Sequence, residues 1–180
     1  MKNKSKPFEQ YLHHDIFGEE DSQKYLDKSL PIIGEIVMYF NGLESELDLR
    51  ICEIFHDGTD AFGLIVLHKM NYGSKVDLFK RLNDELFKKT NIEINGYDKV
   101  IESLKKCGEL RNLVVHADWE NTDIEGFTYV KLRVNKDGMK QEYLQFSEKS
   151  LQEIAQLIVN SRAQLEFFWE DRNEKLNEIE

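Results

Sequence analysis

The sequence predicts an all-α protein, a bundle of four to five helices with one β-hairpin inserted. Three observations support this. Apolar residues recur at steps of three and four through most of the chain, the spacing of one helix face. Only two prolines, Pro7 and Pro31, interrupt 180 residues, which favours long helices. One stretch, about 126–146, changes its period from 3.6 to 2. The length suits one domain with a sizeable core.

Residues 1–28 are polar with scattered aromatics and read as an N-terminal arm with at most a short helix. From Ser29 to about Phe55 a helical stripe runs through Ile33, Val37, Phe40, Leu47 and Ile51, with Pro31 expected in its first turn. "HDGTD" (56–60) ends it, and Thr59 or Asp60 caps a short helix in "AFGLIVLHKM". Ser74 is the expected cap of a helix reaching about Lys89, with Phe79 and Leu82 turned inward. After the loop "TNIEING", a helix from near Tyr97 buries Leu104, Cys107, Leu110 and Val114. "FTYVKLRV", the turn "NKDG" and "MKQEYLQF" form the hairpin, which is marginal alone and must pack on helices. Ser147 or Ser150 caps a last long helix with Leu157, Ile158 and Leu165 inside. The helical domain spans 29–175, and 176–180 form an acidic tail.

The net charge is −10, from 34 acidic and 24 basic residues. That excludes a broad basic surface for nucleic acid but leaves room for a small cationic site. Cys52 and Cys107 sit in helix-like stretches as small buried hydrophobes, which suits a reducing compartment. "MKNKSKPFEQ" lacks the apolar run of a secretion signal, and no segment is apolar enough to span a membrane, so the expected location is cytoplasmic with no membrane partner.

Chemistry concentrates in "ELRNLVVHADW", residues 109–119. At about 100° per residue, Arg111 and His116 are about 140° apart on a regular helix, whereas Asn112 and His116 share a face at i and i+4. A site using Arg111 with His116 therefore needs a helix end, a bend or a second copy of the chain. Imidazole exchanges a proton near neutral pH. Guanidinium stabilises charge on a phosphoryl group. Asn112 can orient the imidazole or a phosphate oxygen. Such a set suits RNA cleavage, where the 2′-hydroxyl is an internal nucleophile.

This stretch resembles the signature of the HEPN superfamily (higher eukaryotes and prokaryotes nucleotide-binding domains): an arginine, often followed by asparagine, then histidine after four to six residues. Arg111, Asn112 and His116 match it. A long first helix with "LESEL", a helix opened by "YGSKVDLFKRL", the motif helix and a closing helix extend the likeness over about 29–175, and the hairpin resembles an elaboration of small bacterial members. The resemblance implies an HEPN-like helical bundle that dimerises, with two motif helices facing across a composite cleft. It implies that Arg111, Asn112 and His116 are catalytic, in a metal-independent endoribonuclease of toxin or defence type. The alternative is a non-catalytic structural or regulatory interaction protein. The implied partners are a second copy in a two-fold homodimer, RNA as substrate, and an antitoxin or regulatory protein.

Plainer roles compete at each position. Arg111 can pair with Glu109 or Asp118, Asn112 can close a helix end, and His116 can cap one. Trp119 reads as core or dimer packing before a base-stacking surface. Glu44 lies on an apolar stripe, where an acid needs a partner, with Arg111 a candidate. His13, His14, His56 and His68 lack metal-ligand spacing, and "GSK" (73–75) lacks the glycines of a phosphate loop, so neither metal nor cofactor is expected.

Overall fold

A computed structural model describes residues 1–8, 19–55, 59–123, 125–136 and 138–178. Its elements are β1 (Lys2–Pro7), α1 (Glu19–Ile54), α2 (Ala61–Leu67), α3 (Tyr72–Thr90), α4 (Tyr97–Val115), β2 (Asp118–Thr122), β3 (Phe127–Asn135), β4 (Gly138–Gln145) and α5 (Glu148–Asn177). The chain divides into two units. One joins 1–37 with 110–155, and the other joins 38–109 with 156–180.

The first unit overturns the all-α expectation of a helical bundle with a single β-hairpin insertion. The hairpin β3–β4 forms as expected, but it is the middle of a four-stranded antiparallel sheet of order β1-β4-β3-β2. The fold is mixed α/β. The supposed N-terminal arm supplies β1, whose Lys4 pairs with Tyr143 and whose Lys6 pairs with Gln141. The segment after the motif helix supplies β2, with Asp118 opposite Tyr129. Neither strand carries the alternating apolar pattern that announces a half-buried strand. A ready-made hairpin offers each of them a row of backbone donors and acceptors, and that suffices. Between Tyr129 and Lys131 the register slips by one residue, a bulge that leaves Val130 without a partner on β4. Ile36, Leu110, Val114, Phe146, Leu151 and Ile154 form this unit's buried side. Gly126 has φ +80°, and a Cβ there would lie 2.8 Å from the Tyr25 ring, so only glycine fits.

The second unit is helical. Phe40, Leu43, Leu47 and Ile51 of α1 fall at steps of three and four and are buried, with Val76 and Phe79 of α3, Leu104 of α4, and Ile158 and Leu165 of α5. Ile33, Val37, Leu82 and Leu157, expected in the core, are half-buried. Phe168 links Phe79, Phe87 and Tyr97 in an aromatic cluster, with centroids 5.4–6.4 Å apart. Gly63 lets α2 lie against Cys52, because a Cβ there would meet the Cys52 Sγ at 2.6 Å.

Helix ends follow local chemistry with some shifts. Pro31 is inside α1 rather than in its first turn, because the helix begins at Glu19; it removes one N–H from the ladder. Asn71, not Ser74, caps α3: its side chain accepts from the Ser74 N–H at 2.9 Å. Ser147 caps α5 reciprocally. Its Oγ accepts from the Ser150 N–H (3.1 Å), and its own N–H donates to Ser150 Oγ (2.9 Å). The last helix continues to Asn177, past the start of the expected tail.

Candidate site at the end of the motif helix

α4 starts after the loop expected at "TNIEING", where Gly96 accepts the Val100 N–H at 3.1 Å. Its inward row is Val100, Ile101, Leu104, Cys107, Leu110 and Val114, all buried. With that row fixed inward, Asn112 and His116 are turned to solvent, and Arg111 is half-buried. The helix ends at Val115, so His116 is the first residue beyond it, and its N–H still donates to the Asn112 carbonyl (3.0 Å).

The orphan carbonyls of a helix end need donors. Trp119 supplies one: its indole Nε1 donates to the Val114 carbonyl at 2.8 Å, and its ring packs 5.0 Å from that of Phe146. Thr122 Oγ1 donates to the Trp119 carbonyl and shares a hydrogen bond with Thr128 Oγ1, both 2.9 Å. The turn out of the motif helix into β2 is thus fastened to β3. Trp119 has the packing role that its apolar body suggests, and it also holds the end of the helix.

Of the three motif residues, Arg111 and Asn112 are joined, with the Arg111 guanidinium donating to Asn112 Oδ1 at 3.0 Å. His116 follows Asn112 by one turn, just past the helix end, and is exposed. A single chain therefore presents a cation anchored on an amide and, one turn on, an exposed imidazole. His13, His14 and His56 lie outside the described residues. Glu44 takes Lys75 as its partner: the ammonium is 2.8 Å from Glu44 Oε1 and 2.8 Å from Asp48 Oδ2.

Other reactive groups are masked by their surroundings. Burial pushes the Cys52 thiol up, reinforced by Asp60, Asp48 and Glu53, and burial pushes up the Cys107 thiol despite a hydrogen bond to Ser161. A raised thiol pKa disfavours the thiolate, which is the nucleophilic form. Burial also raises the Tyr25 phenol to about 12.

Sequence reasoning passed over a neighbouring feature. A cavity of about 280 Å³ lies beside Leu113, the residue after Asn112. Asn3, Ser5, Lys131, Arg133 and Leu144 also line it. The signal was present in the hairpin, where Lys131 and Arg133 alternate with Leu132, but the strand partners that complete the wall were not legible. No protein-family model, no curated protein and no solved structure matches the chain.

Proposed function

We propose that the end of α4 is the catalytic element of a metal-independent endoribonuclease of toxin or defence type, working in the cytoplasm at a site composed by two copies of the chain. One observation carries the reading: Arg111 is anchored on Asn112 Oδ1 while the His116 imidazole is exposed just past the helix end. In the HEPN-type reading, His116 removes the proton from a ribose 2′-hydroxyl. The 2′-oxygen attacks the adjacent phosphorus, and the P–O5′ bond breaks. The leaving 5′-oxygen takes a proton from the second copy's protonated His116. Arg111 stabilises the charge gathered on the phosphoryl oxygens. The products are a 2′,3′-cyclic phosphate and a 5′-hydroxyl. A two-fold axis beside residues 111–116 supplies the second imidazole and doubles the local positive charge.

The test is cleavage of structured and unstructured RNA in EDTA, with the product ends identified. His116→Ala and Arg111→Ala should each reduce the rate at least a hundredfold. A mixed dimer of wild-type and His116→Ala chains keeps a single imidazole and should lose most of the activity, because the mechanism uses both copies' His116. Equal activity in wild type and His116→Ala would remove the assignment.

The net charge of −10 favours a second reading, a non-catalytic regulatory or structural module that docks a basic partner. For that reading and for the toxin type, the proposed partner is a regulatory or antitoxin protein. Co-purification of one whose removal releases RNA cleavage would place the chain in the toxin class.

A further inference from the structure

Charge in this protein is unevenly placed. The three adjacent strands β1, β4 and β3 carry Lys2, Lys4, Lys6, Lys131, Arg133 and Lys140 against a single acid, Glu142. The whole chain has a net charge of −10. Strand register sorts these side chains by face, because residues opposite one another point the same way. Glu142 faces Lys131 on one side and Ser5 on the other; Lys140 faces Arg133; Leu144 faces Thr128 and Asn3. One face therefore presents Lys131, Arg133 and Lys140 around one carboxylate. Glu142 is bonded to both Arg133 (2.7 Å) and Lys131 (3.4 Å), so it holds the two cations in place without cancelling all three charges. Lys131 and Arg133 remain 53% and 56% exposed while paired, so neither is withdrawn from an incoming anion.

The same face borders the cavity beside Leu113, whose walls add the Asn3 and Ser5 strand positions and the apolar Leu144. Cations at alternate positions of a strand are about 6.6 Å apart, comparable to successive phosphates along an extended polynucleotide. An apolar floor next to them suits a base or ribose, and amide and hydroxyl groups suit its polar edge. A membrane surface would find the cations but no use for an inward cavity.

We infer that the β1–β4–β3 face carrying Lys131, Arg133 and Lys140, with the cavity at Leu113, binds the phosphodiester backbone of single-stranded RNA. This deepens the ribonuclease reading and rests on it: Leu113, which lines the cavity, directly follows the Arg111–Asn112 pair on α4. Its test is binding, which does not require cleavage.

The experiment is fluorescence anisotropy of a labelled twelve-nucleotide oligouridylate with the full chain carrying His116→Ala. Arg133→Ala with Lys140→Ala, added to that background, should weaken binding at least tenfold and flatten the salt dependence by about 1.4 in the log–log slope for two lost phosphate contacts. Glu142→Gln should tighten binding several-fold. Lys88→Ala with Lys89→Ala, on exposed positions of α3, should leave it unchanged. Circular dichroism establishes that each variant is folded. Unchanged affinity in the folded Arg133/Lys140 variant overturns the inference, as does binding to phosphatidylglycerol vesicles but not to RNA. RNA bound through this face yet left intact by the wild-type chain would sink the catalytic reading and leave this one standing.

Discussion

The two units handle positive charge in opposite ways. In the helical unit, Lys75 is buried between Glu44 and Asp48, and Arg172 is buried with its Nε donating to Asn83 Oδ1 at 2.9 Å and its guanidinium 4.2 Å from the centre of the Trp169 ring. In the sheet unit, Lys131 and Arg133 share one carboxylate and stay more than half exposed. A buried cation is committed: its desolvation is offset only by partners of good geometry, and it has nothing left for a ligand. An exposed one contributes little to stability but keeps its charge available. Net charge conceals this difference, because it counts both kinds equally.

The largest expected effect comes from breaking a committed cation. Lys75→Met leaves two carboxylates facing each other with no counter-charge and should lower stability by about 3 kcal/mol, measured by urea unfolding. Next, Arg172→Met removes the donor to Asn83 Oδ1 on a residue with no exposure. The loss should be about 2 kcal/mol, the cost of leaving a buried acceptor unmet. Burial already depresses the Arg172 pKa, with Glu53 acting in the opposite sense.

Alkaline pH sharpens the contrast. Burial alone would lower the Lys75 pKa, but the hydrogen bonds to Asp48 and Glu44 outweigh it and raise the pKa above 10.5. The folded state thus holds this proton more tightly than the unfolded state does. Its contribution is complete below pH 10.5 and is lost as pH rises through the folded value. Burial raises Tyr72 and Tyr97 in the same unit, so they add a loss of the same sign above pH 10. Urea midpoints taken from pH 9 upward should fall in the wild type and fall less steeply in Lys75→Met. The smallest effect belongs to the sheet. Arg133→Ala should change stability by less than about 0.5 kcal/mol in the same assay, although the proposed RNA binding should weaken.

The sequence foretold those elements whose side chains announce their own burial. The stripes through Phe40, Leu47 and Ile51 and through Leu104, Leu110 and Val114 are buried helix faces, and the alternation in 127–145 is the hairpin. β1 was illegible because lysines at 2, 4 and 6 alternate with Asn3, Ser5 and Pro7, so no apolar face marks it as a strand. Its identity comes from β4, through backbone pairing that any extended segment can make. β2 is short, and only Asn121 and Thr122 within it are buried. Pro31 has the sequence signature of a first helical turn, whereas α1 begins at Glu19 and carries the proline inside it. For the site, spacing on a regular helix does not reach His116, which lies past the end of α4 at Val115, and the fastening of that end by Trp119 depends on a hydrogen bond to a backbone carbonyl that no pattern encodes.

The pairing of β1 with β4 has a consequence in time. Residues 2–7 leave the ribosome more than a hundred residues ahead of their partners at 140–145. Loop closure over that span is slow compared with forming the helices in between. Until β1 arrives, the hairpin presents β4 as an open edge able to pair with another chain. The lysines of β1 then have a second effect, since like charges on neighbouring nascent chains oppose strand exchange between them. Completion of the sheet should be the late step of folding, and the nascent protein should be most prone to aggregate in the interval before it.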